Sequence, residues 1–246
     1  MALGHGENKY EKYGKPTLDL QFSGPKGSIS NRADGGAISV EFTRTQDTQA
    51  SYYKSDGTIG YASTDVPRFD HDPTTGESLG LLIEESRTNI LQRSSDFANS
   101  YWSKYQVTID PNVETAPDGT TTASKMQWSS SSNRNMVFVQ PTTDVTQTHT
   151  CSFYAKADEW NYAAVAMQPP GGGQPRYYIT VDLTTGAIEE YTSGSPTQTS
   201  AVATPLPNGW WRVSATANVN SAGKTQVQME VGMSPNNTFG GSVSGT

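Results

Sequence analysis

The densest group of side chains able to bind a metal or move a proton is Arg68-Phe69-Asp70-His71-Asp72. Aspartate and histidine ligate metals, and Asp70 and Asp72 are spaced to put both carboxylates on one side of a strand. The same residues also make a polar turn, closed by Asp72-Pro73, with Arg68 on a nearby carboxylate and His71 in solvent. The turn is the stronger reading, because a lone Asp-x-Asp without a ligand-rich loop is a weak metal signal. Glu84-Glu85 and Glu189-Glu190 offer adjacent carboxylates. A glycosidase needs two carboxyls facing one bond, about 5–10 Å apart. Strand neighbours point to opposite faces, so neither pair meets that need, and nothing marks a distant partner. Cys151 alternates with Phe153 on an apolar side, which suits a small buried hydrophobe better than a nucleophile. The glycines at 171–173 lack the lysine and following helix of a phosphate loop. No catalytic residue, metal site or cofactor is assigned.

Aromatic side chains offer a different chemistry. In Trp210-Trp211-Arg212-Val213-Ser214-Ala215 the odd positions are apolar, so Trp211 is expected in the core and Trp210 outside with Arg212. By the same rule Tyr178 lies away from Ile179 and Val181, and Tyr154 lies with Ser152 and Lys156. Trp210, Tyr178, Tyr154 and Arg212 are therefore the candidate glycan-binding residues: a pyranose packs its C–H face on an aromatic ring while polar neighbours hold its hydroxyls. The competing expectation is that such outward aromatics pack under a loop or a neighbouring subunit.

The elements that must carry these residues are strands. Residues 1–16 are polar and without period, an arm or linker expected to order against a partner. Residues 17–95 hold short alternating runs: Leu18, Leu20 and Phe22, then Ile38, Val40 and Phe42. Asp56-Gly57 between Tyr52-Tyr53 and Ile59-Tyr61 signals a hairpin. Leu79 to Ile83 reads as a strand followed by a turn or short helix. Residues 96–246 form a second unit. There Tyr177, Ile179, Val181 and Leu183 share one face, as do Trp211, Val213, Ala215, Ala217 and Val219, and Val227, Met229, Val231 and Met233. Trp160, Tyr162, Ala164 and Ala166 also share a parity. Such runs, broken by Gly, Pro, Asn and Ser, predict an all-β protein: a small N-terminal β segment, then an antiparallel β-sandwich or barrel.

Composition narrows the function classes. Only 17% of the 246 residues are charged, against ~25% in typical domains, and the formal net charge is −7. With a pI near 4.9 the chain is a poor match for phosphate backbones, so nucleic acid is not an expected partner. No run approaches the ~20 apolar residues of a membrane span, and Met1 to Lys15 lacks the apolar stretch of a secretory signal. A single cysteine excludes an internal disulfide. The 5 Trp, 12 Tyr and 7 Phe are enough to build a core despite 33% hydrophobic content.

One stretch is more specific than any of these signals: Pro67-Arg68-Phe69-Asp70-His71-Asp72-Pro73-Thr74-Thr75-Gly76-Glu77-Ser78-Leu79-Gly80-Leu81-Leu82-Ile83-Glu84-Glu85-Ser86-Arg87-Thr88-Asn89. It resembles a run found in bacteriophage virion appendage proteins, the tail-fibre and head-fibre family. Phe42-Thr43-Arg44, Ser55-Asp56-Gly57, Ser95-Asp96-Phe97 with Trp102, and Thr115 to Ala123 are similar to that family as well. So are Phe153 to Ala157, Asp182 to Gly186 and Asn208 to Val213, which extends the resemblance over most of 17–233.

The resemblance implies a non-enzymatic virion structural protein, assembled in the host cytoplasm and located in the virion. Its second unit would be a jelly roll like those of carbohydrate-binding modules. Implied partners are other virion proteins of the capsid, neck or tail, like subunits in a homotrimer, and host surface polysaccharide. Family members end in a strand with a Trp-Gly-Ala-Gln-Leu-Glu type run, absent from Gly240 to Thr246, so the jelly roll is expected to lack its last strand. The alternatives are a free carbohydrate-binding module and a fragment of a polysaccharide depolymerase.

Overall fold

The computed structural model describes residues 20–21, 30–31, 42–44, 50–85, 87–128, 135–171, 173–220 and 223–234. The arm at 1–16, and Leu18, Phe22, Ile38 and Val40, lie outside them. The chain divides into two compact units, Met1–Glu85 and Ser86–Thr246. Among the described residues the regular structure is strand, apart from one 3₁₀ turn at Pro207–Gly209.

The first unit contains β1 (Leu20–Gln21), β2 (Ser30–Asn31), β3 (Ala50–Tyr53), β4 (Ile59–Ala62), β5 (Phe69–His71) and β6 (Ser78–Leu81). They pair as three antiparallel hairpins, β1–β2, β3–β4 and β5–β6. The expected turn at Asp56-Gly57 joins β3 to β4: Gly57 takes a φ of +77°, and Asp56 Oδ1 accepts the Thr58 amide at 2.9 Å. The loop at 72–76 sits hard against this turn. A Cβ on Gly76 would stand 2.5 Å from the Ser55 carbonyl oxygen. Only glycine fits there, at a φ of +72°.

The second unit contains β7 (Ser103–Tyr105), β8 (Val107–Glu114), β9 (Ala123–Trp128), β10 (Asn135–Val139), β11 (His149–Lys156), β12 (Tyr162–Gln168), β13 (Arg176–Asp182), β14 (Ile188–Ser193), β15 (Thr197–Pro205), β16 (Trp210–Asn218) and β17 (Gln228–Ser234). One antiparallel sheet runs β14-β13-β12-β17-β10-β7 and another β11-β16-β15, with β8–β9 as a separate hairpin. The two sheets pack on a shared core. Val137, Val165, Ile179, Val181 and Val231 from the first meet Cys151, Val213, Ala215 and Ala217 from the second. Val137, Val165, Ile179 and Val213 are fully buried, and each such side chain contributes ~1.5–3 kcal/mol. The all-β sandwich predicted from period-two runs is thus the observed fold, and the faces predicted for β13, β16 and β17 point inward.

Strand β12 behaves differently. Its parity Ala163, Val165, Met167 enters the core between the sheets. Ala164 and Ala166 face outward and are buried as well, in a small cluster with Met136, against which Phe138 and Tyr178 pack. Tyr162, Ala164 and Ala166 do share a face, but it is the outer one.

One device recurs at the turns of both units. In Asp56-Gly57-Thr58, Asp72-Pro73-Thr74, Asp118-Gly119-Thr120, Asp144-Val145-Thr146 and Asp182-Leu183-Thr184, the aspartate Oδ1 accepts the amide of the threonine two residues on, at 2.8–3.0 Å. In all but the second, the threonine hydroxyl donates to the same oxygen. Each carboxylate satisfies donors that a turn would otherwise leave to water.

Candidate functional site

The glycan-binding residues expected from parity do not converge. Tyr154, Arg212 and Trp210 share the outer face of the three-stranded sheet, where Tyr154 pairs in register with Arg212 and Lys156 with Trp210. Tyr178 belongs to the outer face of the six-stranded sheet, on the other side of the sandwich. The two groups are separated by both sheets and the core, whose sheet-to-sheet spacing is ~10 Å.

Trp210 also departs from expectation. It has the outward parity but is only 8% exposed, and its Nε1–H donates to the Thr115 carbonyl at 3.1 Å. The segment after β8 covers it, which is the competing outcome for outward aromatics. The ring offers no open face to a sugar. Trp211, expected in the core, is half-buried against it and donates Nε1–H to Leu183 O at 2.7 Å. Tyr154 stays 38% exposed and Arg212 is exposed.

A more complete arrangement stands around Tyr178. The hairpin register places Tyr178 opposite Tyr191, and the two rings stack with centroids 4.8 Å apart and planes 13° apart. Tyr191 O–H donates to Glu189 Oε2 at 2.7 Å. This bond, with the carboxylate's charge, raises the Tyr191 pKa above the ordinary phenol value. In the next row Thr180 pairs with Glu189, and beyond it Tyr162 pairs with Asp182. Between these rows lies a pocket of about 100 Å³ lined by Tyr162, Thr180, Asp182, Ala187 and Glu189.

The alternation that separates Glu189 from Glu190 is visible here. Glu189 holds Tyr191 on the outer face, while Glu190 Oε2 accepts the hydroxyl of the buried Tyr177 at 2.7 Å. Burial first, and then this bond, push the Tyr177 pKa up. The two carboxylates cannot face one glycosidic bond.

Toward the other end of the outer face runs a chain of amides and one acid. Gln140 Nε2 donates to Gln228 Oε1 and Gln228 Nε2 to Glu230 Oε1, each at 2.6 Å, and Gln168 Nε2 donates to the same Glu230 oxygen. Gln168 and Glu230 are each 1% exposed. The Gln168 amide and the Gln228 amide both donate to Glu230 Oε1, which gives that buried oxygen the partners burial demands.

Sequence reasoning did not single out the Trp128–Trp160 pair. These indoles stack at 5.3 Å with a 10° interplanar angle, and Trp128 is 44% exposed. Nearby, Lys125 pairs with Asp158 at 2.6 Å and with Glu159 at 3.7 Å.

The side chains of the 68–72 cluster are distributed among structural contacts. Arg68 Nη1 lies 2.6 Å from Glu84 Oε2 and 3.0 Å from Ser51 O. Asp70 Oδ1 accepts the Tyr53 amide at 2.7 Å, and Asp72 Oδ1 accepts the amides of Thr74 and Thr75. His71, expected in solvent, is half-buried, with Nδ1 3.0 Å from the Tyr53 carbonyl, so that nitrogen carries the proton. Arg44, in the Phe42-Thr43-Arg44 run, reaches the carbonyls of Ala62, Ser63 and Val66, and its amide donates to Asp65. Cys151 is 1% exposed, and burial pushes its thiol up to about 12. His149 bonds Thr143 Oγ1 through Nε2 at 3.0 Å, and burial lowers its pKa. Among the described residues, no three His, Cys, Asp or Glu side chains converge as a metal site.

No protein-family model matches the chain, and a search of curated proteins finds no match to it.

Proposed function

We propose that this protein is a non-enzymatic structural component of a bacteriophage appendage, of the tail-fibre or head-fibre kind, which contacts host surface polysaccharide through its second unit. The observation that carries the reading is how the most specific run is used. Arg68, Asp70 and His71 fasten β5–β6 to β3, Asp72 caps the loop that follows β5, and Glu84 anchors Arg68. Residues that resemble a virion family thus act as fasteners of a small hairpin unit. A two-sheet sandwich is the coarse frame of the jelly roll that the resemblance implies. A weakly charged surface suits a protein that associates with like subunits, in a trimer, and with other virion proteins. Salt should alter such association little.

Mass spectrometry of purified particles, with sedimentation of the isolated chain, tests this. The chain should be found in the virion and should sediment as a trimer. A monomer without affinity for any particle overturns the reading. The stacked Tyr178–Tyr191 pair favours a second reading, a free carbohydrate-binding module, for which glycan binding would occur without virion association.

A further inference from the structure

On the outer face of β12, β13 and β14, Tyr178 packs on Met136, Ala164 and Ala166 and stacks with its cross-strand partner Tyr191, leaving an aromatic pair at the surface. Tyr178 and Tyr191 are half-buried rather than covered, and their stacking and the Glu189 bond fix the Tyr191 ring in one orientation. A ring held in place before a ligand arrives loses little entropy on binding. One side-chain row away, about 7 Å along the strands, lies the pocket between Tyr162, Thr180, Asp182, Ala187 and Glu189.

We propose that this surface is the glycan-binding site of the second unit. The Tyr178–Tyr191 pair receives the C–H face of a pyranose ring, and the pocket takes one exocyclic group of that sugar or its neighbour. The proposal rests on the reading that the second unit contacts host glycans, and it moves the contact from Trp210, Tyr154 and Arg212 to the opposite side of the sandwich.

Size and charge define the ligand class. At about 100 Å³ the pocket is a small one with room for several waters. Such a space suits an exocyclic hydroxymethyl or acetamido group. Asp182 and Glu189 both line the pocket, and a sugar carboxylate beside them would meet like charge. Arg176 has the same outward parity but stands beyond Tyr178, at the end of β13 away from the pocket. Neutral or amino-bearing sugars therefore fit, and uronic and sialic acids do not. The Trp128–Trp160 stack is more exposed, but the tyrosines adjoin the pocket beside Thr180 and Asp182.

The test is an array of bacterial surface oligosaccharides with neutral, amino-bearing and uronate-bearing arms, probed with the full chain. Signal should be confined to the first two arms. Tyr191→Ala should lower it about tenfold or more, and Tyr191→Phe, which keeps the ring, less than about threefold. Tyr154→Ala and Trp128→Ala should leave it unchanged, and circular dichroism of each variant separates lost binding from lost folding. A silent array, signal on uronates alone, or a folded Tyr191→Ala that binds normally overturns the site. A chain found in particles but silent on the array rejects the site and keeps the appendage reading. Array binding by a chain absent from particles does the reverse.

Discussion

The indole of Trp211 presses on Gly186, so closely that a Cβ there would stand 2.5 Å from both Cη2 and Cζ3. The glycine has a φ of +77°, and the same indole donates Nε1–H to Leu183 O. Trp211 thereby clamps the β13–β14 turn that sets Tyr178 opposite Tyr191. Gly186→Ala should cost ~2–4 kcal/mol, from the left-handed backbone plus overpacking against the ring. Urea denaturation measures this. Combining it with Trp211→Leu should return part of the loss, and additive losses would mean that the two residues are not coupled.

Acid should weaken the turns. The Thr58 and Thr146 hydroxyls hold Asp56 and Asp144 below the usual carboxylate value, Thr184 does so for Asp182, and the Thr75 and Thr74 amides do so for Asp72. A folded pKa below the unfolded value of 3.8 stabilises the protein above that value, and the contribution disappears as pH falls through the folded pKa. Thermal melts from pH 7 to pH 2.5 should show the melting temperature dropping below about pH 4. Replacing Asp56, Asp144 and Asp182 by Asn should flatten that drop. An unchanged acid limb in the triple variant would place the effect elsewhere.

Trp210 and Tyr154 share an outer face but should respond differently to truncation. Trp210→Ala removes a buried indole and its bond to Thr115, and should destabilise by ~3–5 kcal/mol. Tyr154→Ala should stay within ~0.5 kcal/mol. Equal and small effects in chemical denaturation would show that the segment after β8 does not cover Trp210.

Cys151 should be inert in the native protein, since burial keeps its thiol protonated at any physiological pH. A thiol-reactive dye should label it only after denaturation. Stoichiometric labelling of the folded chain would contradict its place between the sheets.

The sandwich was legible wherever one parity is apolar and the other polar, as in Tyr177 to Leu183 and Trp211 to Val219. It was not legible in β12, where Ala163 to Met167 is buried on both faces and alternation vanishes. The cover over Trp210 comes from Thr115, 95 residues away, and nothing local announces it. Tyr191 is a different case. The turn bond from Asp182 N to Ala187 O fixes the hairpin register, and counting outward from it brings Tyr178 to Tyr191. The signal lay in the turn, while parity alone sorts faces and pairs nothing. The Trp128–Trp160 stack joins a strand end to a distant connection and has no such signal.

Strand β14 is the last of its sheet, and its row of backbone groups is the sort of rim on which foreign strands can grow. An antiparallel pairing of two such rims centred on Glu189 or on Glu190 would set that acid opposite its own copy, and the repulsion discourages fibril-like stacking in those registers. Subunits that gather into a larger assembly are thereby steered toward other surfaces, and the tyrosines beside that rim keep their access to solvent.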